Sequence, residues 1–104
     1  MGWNISHGPA PYGQMSRSYT QMSNLGEQIA NVLSWRDWRK VKHLFNRRSG
    51  DPFTVSAKEA GQIAPILRKA ASHPRMPADW ASDTNLLADT AHRAATTGQN
   101  WEWR

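Results

Sequence analysis

The chain has 104 residues, with 13 lysines and arginines, 8 aspartates and glutamates, and no cysteine. This length fits a single domain, residues 1–104, and the lack of cysteine excludes disulfides and thiolate metal sites. No apolar run approaches the roughly 20 residues that a membrane-spanning helix needs. The first residues also lack the apolar region of a secretory signal. We therefore expect a cytoplasmic protein without a membrane partner.

The N-terminal third is predicted to form a strand and a helix. Residues 2–7 alternate large apolar with small polar side chains, which is typical of a strand with one covered face. Prolines and glycines interrupt regular structure over residues 8–13. A capping pattern at residues 18–21 then begins a helix. Gly26 weakens this helix, whose apolar face is formed by Met22, Leu25, Ile29 and Val32.

A second helix is predicted over residues 35–48, because Ser34 and Asp37 form another capping pattern. At 100° per residue, its two faces differ sharply in polarity. The apolar side is formed by Trp38, Val41 and Phe45, flanked by Trp35 and Leu44. The opposite side carries a basic stripe of Arg36, Lys40, His43 and Arg47, with Arg39 beside it.

The remaining elements follow from turn and capping residues. Residues 53–55 are predicted to form a short strand, and the capping box at residues 56–59 begins a third helix. We expect Pro65 to kink or split this helix, because proline removes an amide donor and crowds the preceding turn. Residues 72–79 form a loop by composition. A fourth helix should run over residues 80–97, before Gly98.

The closing residues alternate again, with Trp101 and Trp103 on one face of a last strand. The predicted order is therefore strand, helix, helix, strand, helix, helix, strand. This order indicates an α+β domain in which about four helices cover one side of a small three-stranded sheet.

The ends and middle of the chain also carry a resemblance. The opening Met-Gly-Trp, the closing Trp-Glu-Trp-Arg and the middle rich in arginine and alanine resemble a small uncharacterised protein family of high-GC actinobacteria. The resemblance implies a bacterial cytosolic protein and carries no activity with it.

The charge is concentrated in residues 36–48, which hold six of the 13 basic and one of the 8 acidic residues. The difference of five equals the net charge of the whole chain. On a helix the basic stripe would extend over roughly 16 Å, and arginine suits bidentate contact with phosphate. We predict a non-enzymatic protein that contacts nucleic acid or another polyanion with little sequence specificity. The predicted contact residues are Arg36, Arg39, Lys40, His43 and Arg47.

Other functions fit the same pattern. The basic stripe also suits an acidic protein partner, including a second copy of the chain in a homodimer, or a solvated face that only keeps the protein soluble. A small enzyme assembled from distant residues is a third alternative. No cofactor or metal is expected, because the four histidines show no paired metal spacing. If Trp35, Tyr12 or Trp80 is exposed beside Arg36 or Arg39, it could stack on unpaired bases.

Overall fold

A computed structural model of the chain describes residues 2–7, 15–45 and 51–104. The architecture is α+β, as predicted. In chain order the elements are β1 Gly2–His7, β2 Met15–Ser18, α1 Tyr19–Val32, α2 Trp35–Val41, the 3-10 helix Lys42–Leu44, β3 Phe53–Val55, α3 Ala57–Ala71, α4 Ala78–Thr97 and β4 Trp101–Trp103. No helix within these described ranges is long and apolar enough to cross a membrane.

The sheet has four antiparallel strands in the order β2-β1-β4-β3, so the prediction of three strands was wrong. The three predicted strands are present, and β2 is the additional one. In β2, Arg17 lies opposite Trp3 on the face that elsewhere carries apolar side chains. An ion pair with Asp83 of α4, 2.9 Å away, compensates its charge there.

The two faces of the sheet differ in polarity. Ile5 is paired with Trp103 across β1 and β4, and both side chains are buried. The α1 and α4 helices contact the sheet, and the indole Nε1 of Trp101 donates a hydrogen bond of 3.0 Å to Thr90 Oγ1 of α4. On the opposite face, Asn4 and Ser16 are polar and exposed, whereas Ser6 is polar but buried. The apolar face thus joins sheet and helices into one core.

An aromatic cluster fills the centre of this core. The ring of Trp103 lies 5.9 Å from that of Trp3, 5.2 Å from that of Phe53 and 5.3 Å from that of Trp101, measured between centroids. The Trp3 and Trp101 rings meet it edge to face, an arrangement that aromatic pairs favour. Tryptophans from both ends of the chain therefore share one cluster.

Helix boundaries largely follow the local signals. Ser18 and Gln21 form the predicted capping box of α1, and Ser56 accepts a hydrogen bond from the Glu59 amide at the start of α3. Gly98 ends α4 in the left-handed conformation, with φ of 69°. The α3 helix runs without interruption through Pro65, so this proline does not split it.

The predicted helix over residues 35–48 is shorter than expected. Its α-helical part ends at Val41 and a 3-10 helix continues to Leu44, while residues 46–50 lie outside the described ranges. A 3-10 turn has fewer residues per turn and redirects the side chains that follow. It places Leu44 in the core and brings Phe45 against α1. A Cβ on Gly26 would lie 2.7 Å from the Phe45 Cβ, so this close approach requires glycine.

Candidate nucleic-acid interface

The described part of the basic segment, residues 35–45, lies antiparallel along α3 and makes a polar contact with it near each end. Near the start of α2, Asp37 accepts a hydrogen bond of 2.9 Å from Lys69 Nζ, late in α3. Beyond the end of α2, His43 Nε2 lies 3.3 Å from Glu59 Oε1, in the first turn of α3. These two contacts set which side of the segment faces α3 and which side faces solvent.

Between these two contacts, Lys40 borders a cleft of about 220 Å³. The cleft is lined on the α3 side by Glu59, Gln62, Ile63 and Ile66. Lys40 itself is exposed, so its ammonium group can reach solvent from the rim of this cleft. Lys40 therefore lies at the boundary between the cleft and the solvent-exposed side of α2.

The predicted basic stripe is therefore divided between two environments. His43 and Lys40 are turned toward α3, where His43 is partly buried beside Glu59. Arg36 and Arg39 are exposed. Arg47 lies outside the described residues. The structure thus keeps Arg36 and Arg39 available for a ligand, while His43 already has an acidic neighbour.

An exposed tryptophan lies among the outward cations. Trp35 is 68% exposed, the one large hydrophobic side chain in the described part of the chain with such exposure. Lys42 Nζ lies 5.5 Å from the centroid of its ring, in a cation–π contact. Arg36 follows Trp35 directly and Arg39 lies one helical turn further on. We call Trp35, Arg36, Arg39 and Lys42 the Trp35 surface.

The cations of the Trp35 surface differ from most others in their ion pairing. Within the described ranges, Arg36, Arg39 and Lys42 have no carboxylate at ion-pair distance. By contrast, Arg17, Arg68, Lys69 and Arg104 are each paired with an acidic side chain. The other exposed cations without such a pair in these ranges are Lys40, at the rim of the cleft, and Lys58, Arg75 and Arg93, which lie outside α2. The Trp35 surface is therefore a local concentration of uncompensated positive charge.

The acidic residue within the segment does not offset this charge on the outward side. The hydrogen bond from Lys69 is the main reason that the pKa of Asp37 is lowered, and the nearby charge of Lys40 adds to the effect, while partial desolvation opposes it. The Asp37 side chain is only 17% exposed. Asp37 consequently stays ionised and directs its charge toward α3, which leaves the Trp35 surface cationic.

Sequence reasoning found Arg36 and Arg39, named Trp35 only as a stacking residue on the condition that it is exposed, and did not name Lys42. The signal is present in the sequence, because Trp35, Arg39 and Lys42 are spaced i, i+4 and i+7. Trp35 was assigned to the edge of the apolar side of the predicted helix, because it lies near Trp38 on a helical projection. In the structure, Trp38 stacks on Phe45 with centroids 6.0 Å apart, and Trp35 remains outside this contact.

The chemistry available at the surface is recognition of an anion that also carries a flat apolar group. Guanidinium and ammonium groups bind phosphate, and an indole ring stacks on nucleobases. The described residues contain no group of three or more histidines and carboxylates arranged to hold a metal ion.

Fold and surface together define a small α+β protein with a basic, aromatic-centred face. The chain belongs to the family described as a domain of unknown function (DUF7739), whose model matches residues 8–104. The resemblance to an uncharacterised family is thereby confirmed. No curated protein and no solved structure matches the chain.

Proposed function

We propose that this protein is a non-enzymatic, cytoplasmic binding protein that contacts nucleic acid or a related polyanion through the Trp35 surface. One observation carries the proposal: an exposed tryptophan has a lysine against its ring and shares a short helical segment with two exposed arginines, and none of these three cations has an acidic partner in the described ranges. Lys40 adds a fourth cation at the rim. Arg47 and His43 stay predictions, and His43 has Glu59 beside it at 3.3 Å.

The expected mode of contact is to phosphate and not to base edges. Arg36 and Arg39 can each bind a phosphate through two parallel hydrogen bonds. The α2 helix has only seven residues, and it carries no asparagine or glutamine of the kind that reads adenine in the major groove. We therefore propose that binding has little sequence preference and depends strongly on salt.

An acidic protein surface is the alternative ligand, and a second copy of the chain is one form of it. The same cations would serve, and an exposed tryptophan is also typical of the centre of a protein interface. The two ligands differ in their salt response, because only a nucleic acid has a condensed counterion layer to release.

The test is fluorescence-anisotropy binding to labelled DNA and RNA between about 50 and 200 mM salt. With one phosphate contact for each of Arg36, Arg39, Lys40 and Lys42, the slope of log K against log salt should be about −2.8 on single strands and −3.6 on duplexes. The double variant Arg36→Glu with Arg39→Glu should abolish measurable binding at 200 mM salt.

The matched control is Arg75→Glu with Arg93→Glu, which changes the net charge equally but on exposed sites outside the segment. This control should keep most of the affinity and the slope. Equal losses in the two double variants would mean that only the overall charge matters, and the assignment to the Trp35 surface would then be wrong. Binding of none of the nucleic acids at 50 mM salt would overturn the proposed function itself.

A further inference from the structure

We infer that Trp35 is a stacking platform for an unpaired base, so that the ligand of this surface is single-stranded nucleic acid. This inference rests on the proposed function and narrows it, because the cations alone would accept any polyanion. The observation behind it is an exposed indole ring that has Lys42 against it and Arg36 and Arg39 on the same helix.

The exposure of Trp35 is not explained by the fold. Trp3, Trp101 and Trp103 are at most 5% exposed, and each has aromatic neighbours in the core. Trp35 is 68% exposed, and its ring contact within the described ranges is the cation Lys42. A ring of this size on the surface leaves a large apolar area in water, which a stacked base would cover.

The platform is held on a fixed element. Trp35 is the first residue of α2, directly after Ser34, whose hydroxyl oxygen caps the Asp37 amide at 3.2 Å. The same Asp37 is bound to Lys69 of α3. A ring whose backbone is fixed in this way loses less freedom when a base stacks on it.

The charges around the ring suit a strand whose bases are unstacked. When a base lies on Trp35, the phosphates on its two sides come within reach of cations on the same surface, namely Arg36, Arg39 and Lys42. Lys42 already lies against the ring and can contact a phosphate without a change in the backbone. In a duplex the bases remain stacked on one another, so the indole ring would have no free base to meet. Single strands expose that partner, and stacking is tolerant of sequence.

The experiment compares Trp35→Ala with wild type on three probes: a single-stranded oligonucleotide, the duplex of the same sequence, and inorganic polyphosphate. Stacking on one base predicts that Trp35→Ala weakens single-strand binding by about 5- to 150-fold. Affinity for the duplex and for polyphosphate should stay within about twofold of wild type. Trp35→Phe should retain much of the single-strand affinity, because phenylalanine keeps an aromatic face.

Oligonucleotides lacking bases sharpen the test. An abasic strand of the same length should bind wild type more weakly by a factor similar to that of Trp35→Ala. Removing both the ring and the bases should lower the binding affinity no more than removing either one, because each change deletes the same contact. Thermal unfolding of Trp35→Ala should match wild type, since the side chain lies outside the core.

The outcomes separate the inference from the function beneath it. If wild type binds all three probes and Trp35→Ala binds them equally well, the stacking inference is wrong and the polyanion function stands. A loss of equal size on polyphosphate would also overturn it, because polyphosphate has no base. If wild type binds none of the probes, the proposed function is wrong, and so is the inference that rests on it.

Discussion

The tryptophans of β4 and the tryptophan that begins α2 occupy opposite environments in the same small protein. Trp101 and Trp103 are fully buried, and the Trp101 indole N–H is satisfied by Thr90. Trp35 is mostly exposed and its neighbour is a lysine. The core around Trp101 and Trp103 excludes water and is stabilised by close packing. At Trp35, both the ring and the charges beside it are accessible from solvent.

This difference shows which aromatic residues the fold accounts for. Each β4 tryptophan has a stabilising packing role, since its surface is covered by other side chains, although the Trp103 indole N–H has no hydrogen-bond partner within the described ranges. Trp35 has no such role in the described contacts. Under the proposed function, a partner outside the chain covers this ring, and the cations on the same helix would suit an anionic one.

The largest expected effect is the contrast between Trp103→Ala and Trp35→Ala. Trp103→Ala removes the centre of the aromatic cluster and leaves a cavity, so it should lower the free energy of unfolding by about 3–5 kcal/mol. Trp35→Ala should change it by no more than about 0.5 kcal/mol, as is usual for surface positions. Urea unfolding followed by far-UV circular dichroism measures both values.

The comparison would break if Trp35→Ala were nearly as destabilising as Trp103→Ala. Trp35 would then be a structural residue, and its exposure would no longer indicate a ligand. If Trp103→Ala proves too unstable to purify, Trp103→Phe provides a milder test, because it keeps one ring in the cluster.

A smaller effect is expected from Thr90→Val, which has nearly the same shape as the native residue but lacks the hydroxyl. Thr90 Oγ1 accepts the indole hydrogen bond of Trp101 in the core. Its loss leaves a buried N–H without an acceptor and should lower the free energy of unfolding by about 1–3 kcal/mol. Trp35 needs no comparable partner, because water reaches its exposed side chain.

A double-mutant cycle with Trp101→Phe isolates this hydrogen bond. Phenylalanine has no N–H, so adding Thr90→Val to Trp101→Phe should cost clearly less than Thr90→Val alone. Equal costs in both backgrounds would show that Thr90 acts by packing or through its own bond to the Leu87 carbonyl oxygen. The environment of Trp101 would then be less specific than the geometry indicates.

The parts of the fold that local signals control were predictable, and the parts that distant contacts control were not. The serine caps and Gly98 fix helix ends through neighbours within four residues, which a sequence displays directly. The strand β2 was missed because Arg17 interrupts its apolar face, and the compensating Asp83 is 66 residues away. No short pattern links those two residues.

The candidate site shows the same limit. The concentration of charge in the basic segment and the outward Arg36 and Arg39 could be predicted from composition and helical spacing. The exposure of the Trp35 ring could not, because the sequence also allows it to pack beside Trp38, and in the structure Trp38 stacks instead on Phe45, which packs against Gly26 of α1. Packing between elements therefore decided that this ring stays exposed beside the cations.

The smallest expected effect concerns the contact that attaches α2 to α3. This contact is electrostatic, whereas the core is held together by apolar packing. The hydrogen bond from Lys69 lowers the pKa of Asp37 below its usual range, about 3.9 for a free aspartate. A lowered pKa in the folded state means that the ionised carboxylate stabilises the fold above pH ~3.9, and that this contribution is lost as the pH falls through the folded-state pKa. Acid should thus loosen the attachment of α2 to α3 before it affects the aromatic cluster.

The measurement is an NMR titration of the Asp37 carboxyl group in wild type, Lys69→Gln and Lys58→Gln. Lys69→Gln should raise the pKa of Asp37 toward the ordinary value, because the charged donor is gone. Lys58→Gln removes an exposed charge from the same helix at its other end, and it should leave that pKa unchanged. An unchanged pKa in Lys69→Gln would assign the lowering to Lys40 and Ser34, which also act on this carboxylate. The position of Trp35 would then depend on the packing of Trp38 and Phe45 and on the contact between His43 and Glu59, with no contribution from Lys69.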